Sequence, residues 1–312
     1  MRARPRDCGM TARMTPALLA LALGTFSIVA ADPATGQIGV AVQSKFPAVG
    51  AIVPAARAGA GAIATQSLAN GAWKAEGLRL LGDGVAPEEI VRRLVEADPD
   101  AQDRQLGVVD AKGRAATFTG SRCFAHASGL SGDGFAVQGN VLAGRAVVEA
   151  MARAYEAARD ARKPLAERLL LALEAGQRAG GDRRGQESAA LLVVKPGGGY
   201  GGAGDVWVDL RVDDHARPIA ELRRLYEDVH QYYFGETRQA LPLDAGRARR
   251  VQAALARTGF LKSKPSGAWD EASQRALEDF MGWENLEGRI RRDGTVDALV
   301  LDHLLRVARA KR

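Results

Sequence analysis

Ala22-Leu23-Gly24-Thr25-Phe26-Ser27-Ile28-Val29-Ala30 is the stretch on which the reading of this chain turns. Ala22 and Gly24 form a small-x-small pattern behind an apolar run from Pro16 to Leu23 and an arginine-bearing leader, the layout of a processing site. Thr25 then opens an apolar strand. Cleavage after Gly24 would leave Thr25 with a free α-amine, whose reference pKa is about 7.7–8.0. A threonine hydroxyl is a poor nucleophile until a base takes its proton, and that amine can be the base within the same residue. The chemistry would need no histidine. Met10 and Met14 offer later starts, and each still leaves residues ahead of Thr25.

Working outward, Asp32-Pro33-Ala34-Thr35-Gly36 reads as a hairpin turn between strands at residues 25–31 and 37–44. With the turn centred near Thr35, antiparallel pairing sets Thr25 roughly opposite Ser44 and Lys45. Residues 50–54 with 59–66, and 105–109 with 115–119, read as further strand pairs. Residues 135–138, 188–194 and 206–212 complete the strands. Helical periodicity covers residues 73–81, 87–97, 145–159, 165–175 and 218–233, with Pro87 in a first turn and Asp98-Pro99 as a stop. Strand pairs, then helices, then strands again imply an α+β domain.

Six blocks stand in order along this region. They are Thr25–Ala30 with Gly36–Val42, Ser44-Lys45-Phe46 with Ala48-Val49-Gly50, and Gly61-Ala62-Ile63-Ala64-Thr65-Gln66. Then come Val137-Gln138-Gly139-Asn140 with Leu142-Ala143-Gly144, Gly180-Gly181-Asp182 through Val194, and Val208–His215. Together they resemble a bacterial and archaeal domain-of-unknown-function family (ten-twenty-eight), similar in fold to N-terminal-nucleophile (Ntn) hydrolases. The resemblance runs from Thr25 to about Tyr233. It implies a four-layer αββα sandwich, two stacked antiparallel sheets between helical layers.

Residues 1–24 therefore read as a leader, 25–235 as the main domain and 236–244, with Pro242, as a linker. Residues 245–312 show a helix, Gly259-Phe260-Leu261, a turn ending Gly267-Ala268-Trp269-Asp270, and a second helix from Glu271. Asp293-Gly294-Thr295-Val296-Asp297 enters a last helix. This layout is similar to small all-α peptidoglycan-binding-like domains, with Val251, Leu255, Phe260, Leu261, Trp269, Leu277 and Phe280 as its core.

The net charge of +6 argues against a nucleic-acid partner once it is located. Residues 1–24 hold four Arg against one Asp, and residues 244–312 hold 14 Lys/Arg against 10 Asp/Glu, which leaves the main domain at −1. The mildly basic end suits an anionic wall polymer. Cys8 lies in the leader and Cys123 is expected to pack between Arg122 and Phe124. His126, His215, His230 and His303 have no ligand spacing, so no metal is expected. Glycine-rich 197–204 lacks the Lys-Ser/Thr of a phosphate loop and precedes a strand, so it reads as a turn, and no cofactor is expected.

Thr25 is the candidate nucleophile, set against a plain first strand. Lys45 is the candidate polarising cation, set against an ordinary strand-end lysine. Asn140, with backbone N–H groups near it, is the candidate oxyanion donor. Gln66, Asn70 and Gln138 close apolar strands and are candidate substrate amide clamps, or else turn caps. Asp182, Arg184 and Ser188 cluster before a strand, as substrate contacts or as a pair holding the loop. The reading is amide or peptide hydrolysis through an acyl-enzyme on Thr25, in the periplasm or cell envelope. Two alternatives stand beside it: an inactive binding module anchored to peptidoglycan, and a cytoplasmic small-molecule amidase.

Overall fold

The computed structural model describes residues 24–235 and 239–310, so the expected leader lies outside the described residues except for Gly24. The chain divides into two compact units, Met1–Leu222 and Arg223–Arg312.

The first unit is a mixed α+β fold built around the hairpin of β1 (Thr25–Asp32) and β2 (Gln37–Ser44). Asp32 Oδ1 accepts the Ala34 N–H at 3.1 Å and closes the turn. The other strands are β3 (Pro54–Arg57), β4 (Gly61–Ser67), β5 (Arg104–Asp110), β6 (Ala115–Thr119), β7 (Ser128–Gly132), β8 (Phe135–Asn140), β9 (Ser188–Val194) and β10 (Val206–Val212). They form a six-stranded sheet ordered β10-β9-β2-β1-β8-β7 and a four-stranded sheet ordered β3-β4-β5-β6. Every pairing is antiparallel.

Strand alternation assigns the faces. Val29, Ala31, Val40 and Val42 of the large sheet meet Ala62, Ala64 and Val109 of the small one in a shared core. The opposite face, with Phe26, Ile28 and Phe135, lies beneath α3 (Ala146–Asp160) and α4 (Leu165–Arg178). α1 (Gly71–Gly82) and α2 (Pro87–Glu96) cover the outer face of the small sheet through Trp73, Leu80, Ile90 and Leu94. Pro87 sits in the first turn of α2, where its missing N–H costs no hydrogen bond. α5 (Pro218–Arg224) follows β10.

The second unit packs α6 (Ala245–Thr258), α7 (Glu271–Trp283) and α8 (Ala298–Ala310) around Val251, Leu255, Leu277, Phe280, Val300 and Leu304. Of the core expected from sequence, Phe260 and Trp269 are partly buried against it and the rest are buried. Asp244 and Asp270 cap α6 and α7 by accepting the N–H groups of Arg247 and Ser273, both at 2.8 Å.

Three local expectations are corrected. Residues 50–54 do not form a strand: Ala48 is left-handed (φ 51°) and Val49–Ile52 makes one helical turn. The Val49 N–H is captured by Ser188 Oγ and the Ala48 N–H by the Asp213 carbonyl, which holds the chain away from a strand partner. β7, a Ser/Gly-rich sheet edge, gives no alternating signal and was not anticipated. Residues expected to be linker contain β11 (Ala240–Pro242), which pairs with β12 (Thr295–Asp297), so the second unit is not purely helical.

Candidate functional site

The antiparallel registers bring two sequence candidates, Thr25 and Asn140, to one strand end. Thr25 pairs with Ser44 on β2 and with Asn140 on β8, and Ser44 pairs in turn with Ser188 on β9. Thr25, Ser44 and Asn140 are each completely buried. Thr25 Oγ1 donates to Ser44 Oγ at 3.1 Å, and Ser44 Oγ donates to the Gly24 carbonyl at 2.6 Å. Arg184 Nη2 reaches the same carbonyl at 3.2 Å. The peptide bond between Gly24 and Thr25 thus has its carbonyl oxygen held by a hydroxyl and a guanidinium, with the Thr25 hydroxyl hydrogen-bonded to that same Ser44. Two donors on one carbonyl oxygen are what stabilises negative charge developing there.

Asp182 orders this arrangement. Its carboxylate, with no exposed side-chain surface, takes two bonds from Arg184, Nη2 at 2.8 Å and Nε at 3.1 Å, and accepts the Arg184 backbone N–H at 2.9 Å. An isolated Leu142–Asp182 bridge ties this loop to the chain just beyond Asn140.

Behind Thr25, between the sheets, lies a buried glutamine network. Ser27 Oγ donates to Gln66 Oε1 at 2.7 Å and accepts from Gln138 Nε2 at 2.6 Å. Gln66 Nε2 donates to Gln105 Oε1 at 2.8 Å and reaches the Thr25 carbonyl at 3.3 Å. Gln105 Nε2 donates to Thr119 Oγ1 and to the Gly139 carbonyl, at 2.8 and 2.9 Å. Asn140 Nδ2 joins at Gln105 Oε1, 3.2 Å away, while Asn140 Oδ1 is buried without a hydrogen-bond partner.

Three sequence candidates stand apart from this set. Lys45 lies one residue past Ser44, so strand alternation turns it away, and its ammonium pairs with Glu187 at 3.1 Å on the surface. Arg184 is the cation found at the Gly24 carbonyl. Asn70 caps α1, accepting the Ala72 N–H at 3.0 Å and donating to Asp98 at 2.7 Å. Ser188 accepts the Val49 N–H and donates to the Phe46 carbonyl, which fastens the segment after β2. Ser44 and Gln105 are the residues that the sequence reading missed. The hairpin register itself pointed to Ser44, and a glutamine opening an otherwise apolar strand was the signal for Gln105.

The rest of the titratable inventory points elsewhere. Burial pushes the Cys123 thiol above its usual range, and it bonds the Arg104 carbonyl at 3.3 Å, so a nucleophilic thiolate is disfavoured. Among the described residues no group of His, Cys, Asp or Glu could hold a metal ion. No described helix is long and apolar enough to cross a membrane.

Residues 25–222 match the model of a "Family of unknown function (DUF1028)". The chain belongs to that family. A crystal structure of a protein of this family from Silicibacter pomeroyi, SPO2555, is 35% identical with a TM-score of 0.59, the match covering 66% of this chain and 88% of that one. No curated protein matches. Residues 233–304 match a model described as "Putative peptidoglycan binding domain". The DUF1028 domain is therefore joined to a peptidoglycan-binding domain, which is consistent with a cell-envelope location. In that second domain, α6 and α8 border a groove of about 320 Å³ lined by Arg250, Arg257 and Arg309 over Ala253, Ala254, Leu305 and Ala308.

Proposed function

We propose that the DUF1028 domain is an Ntn-type amidohydrolase with αββα layering, and that Thr25 becomes its nucleophile when the Gly24–Thr25 bond opens. The observation that carries this reading is the Gly24 carbonyl held between Ser44 Oγ and Arg184 Nη2, with Thr25 Oγ1 on Ser44. Opening would proceed by attack of Thr25 Oγ1 on the Gly24 carbonyl carbon. The hydroxyl proton passes to Ser44, and the Ser44 proton passes to the carbonyl oxygen. Collapse breaks the C–N bond, the nitrogen takes a proton, and a glycyl ester on Oγ1 remains for water to hydrolyse.

The freed α-amine then serves as base for the same hydroxyl. Ser44 and Arg184 supply the oxyanion contacts, Asn140 Oδ1 offers an acceptor for the substrate, and Gln66 and Gln138 hold the strand end. Lys45, tied to Glu187, acts at most as a distant charge. The catalytic domain is proposed to lie within residues 25–235 and the wall-binding helices within 245–312. The arginine-lined groove is suited to carboxylates of a wall peptide. Both features favour a substrate amide at the cell envelope.

A second reading, a scaffold that binds without catalysis, is favoured by the complete burial of Thr25 while Gly24 precedes it. Intact mass and N-terminal sequencing of the purified chain separate the two. Opening at Thr25 in the wild type, absent in Thr25→Ala and strongly slowed in Ser44→Ala, is the expected result. A wild-type chain that stays joined at Gly24–Thr25, and releases no amine from any amide, would leave only the scaffold.

A further inference from the structure

A side chain at Gly24 would collide with two neighbouring side chains. A Cβ built on its α-carbon would lie 2.2 Å from Arg184 Nη2 and 2.5 Å from Asp182 Oδ2. Arg184 is one-third exposed and its guanidinium can swing aside, but the Asp182 carboxylate is fully buried. The Arg184 backbone N–H, which accompanies the loop rather than the guanidinium, also holds that carboxylate at 2.9 Å. The Asp182 wall therefore remains even if Arg184 moves.

We propose that this seat is the acyl subsite of the enzyme, and that its substrates are N-acylglycyl-type amides, unsubstituted at the α-carbon next to the attacked carbonyl. The proposal rests on the nucleophile reading above. Opening and turnover pass through one kind of covalent species, an acyl ester of Thr25 Oγ1. In the first event the acyl group is Gly24 itself, and its carbonyl carbon moves only from the Thr25 nitrogen to the Thr25 oxygen. The donors on the Gly24 carbonyl are then the donors a substrate carbonyl meets. The wall beside the Gly24 α-carbon is likewise the wall a substrate α-carbon meets. Gly24 also carries a peptide on its nitrogen, so an N-acyl substituent belongs in the substrate.

In turnover, Thr25 Oγ1 bonds to the substrate carbonyl carbon and gives its proton to the α-amine. The amide C–N bond breaks as that proton goes to the departing amine. Water then hydrolyses the ester to an N-acylglycine, which restores the hydroxyl. Amide and water become acid and amine, with no further reactant.

The test uses the full chain with Thr25 verified as its N-terminus, and the para-nitroanilides of N-acetylglycine and N-acetyl-L-alanine. A methyl group directed at Asp182 forces the carbonyl off its donors, and a displacement of 1 Å costs about 10²-fold in rate. The glycyl amide is expected to exceed the alanyl one by about that factor in kcat/KM. Arg184→Ala is expected to slow the glycyl amide without reversing the preference, because Asp182 stays. An alanyl amide turned over within about threefold of the glycyl one, well short of the penalty expected for such a displacement, overturns the acyl assignment and leaves the nucleophile reading intact. Release from neither amide, with Thr25 at the terminus, overturns both. A second measurement needs no added substrate: purified Gly24→Ala precursor, followed at a temperature where both proteins are folded, should open far more slowly than wild type. Opening at the wild-type rate would refute the proposed wall.

Discussion

Replacing Gln66 by leucine removes the hub of the buried network while keeping its approximate shape. The change strands the Ser27 hydroxyl, which loses its acceptor at 2.7 Å, and takes from Gln105 Oε1 its donor at 2.8 Å. Neither partner is left bare, since Ser27 still accepts from Gln138 and Gln105 still accepts from Asn140. A stranded buried donor costs about 1–3 kcal/mol, and an ordinary net hydrogen bond about 0.5–1.5 kcal/mol. Added apolar burial returns about 1 kcal/mol. The expected loss is therefore about 2 kcal/mol, which lowers the melting temperature of a unit this size by about 4–8 °C. Calorimetry of the full chain reads the first unit's transition directly. A cycle with Gln105→Leu should show coupling of about 1 kcal/mol, because the two side chains share one bond. A single variant within about 0.5 kcal/mol of wild type, or strict additivity in the cycle, would refute the reasoning.

Two further outcomes follow from buried groups elsewhere. Arg289 and Asp297 form a pair at 2.7 Å with almost no exposure, so Asp297→Ala should destabilise the second unit by about 3–5 kcal/mol, read as loss of its thermal transition. Burial pushes the Tyr155 hydroxyl up to about 12, whereas an unfolded tyrosine ionises near 10. The folded chain thus keeps a proton that the unfolded chain releases, and stability falls as pH rises above about 10. Tyr155→Phe should lessen the drop in melting temperature between about pH 9 and pH 11, and an unchanged drop would remove Tyr155 as its source.

The parts of this molecule legible in its sequence are the locally determined ones. A proline-glycine turn between alternating strands sets the register of β1 on β2 with no other information, which is why Thr25 could be matched to the end of β2. The helix starts at Pro87 and Glu271 were legible because proline and capping side chains act within one turn. The helix read from residue 73 instead begins at Gly71, where Asn70 caps it. What escaped depended on contacts far apart in the chain. The helical turn at Val49–Ile52 exists because Ser188, on a strand more than a hundred residues later, takes an amide that would otherwise seek a sheet partner. Arg184 was read as a substrate contact or as half of a pair holding its loop, and its pair with Asp182 is present. Its second contact, to Gly24, arises only once β9 lies beside β2. Lys45 drew attention by its charge, but a side chain one step along a strand faces the other way.

The short ribbon of Ala240–Pro242 with Thr295–Asp297 bears on how the wall-binding half can be handled in isolation. A fragment begun at Ala245, where the first long helix starts, would keep all three helices yet lose the strand that covers Thr295–Asp297. It would leave the approach to the last helix with bare backbone amides and carbonyls, beside the buried Arg289–Asp297 pair. Such an edge invites pairing between copies. A fragment that includes residues 240–242 carries its own cover, so the two clones should differ in solubility although they share every helix.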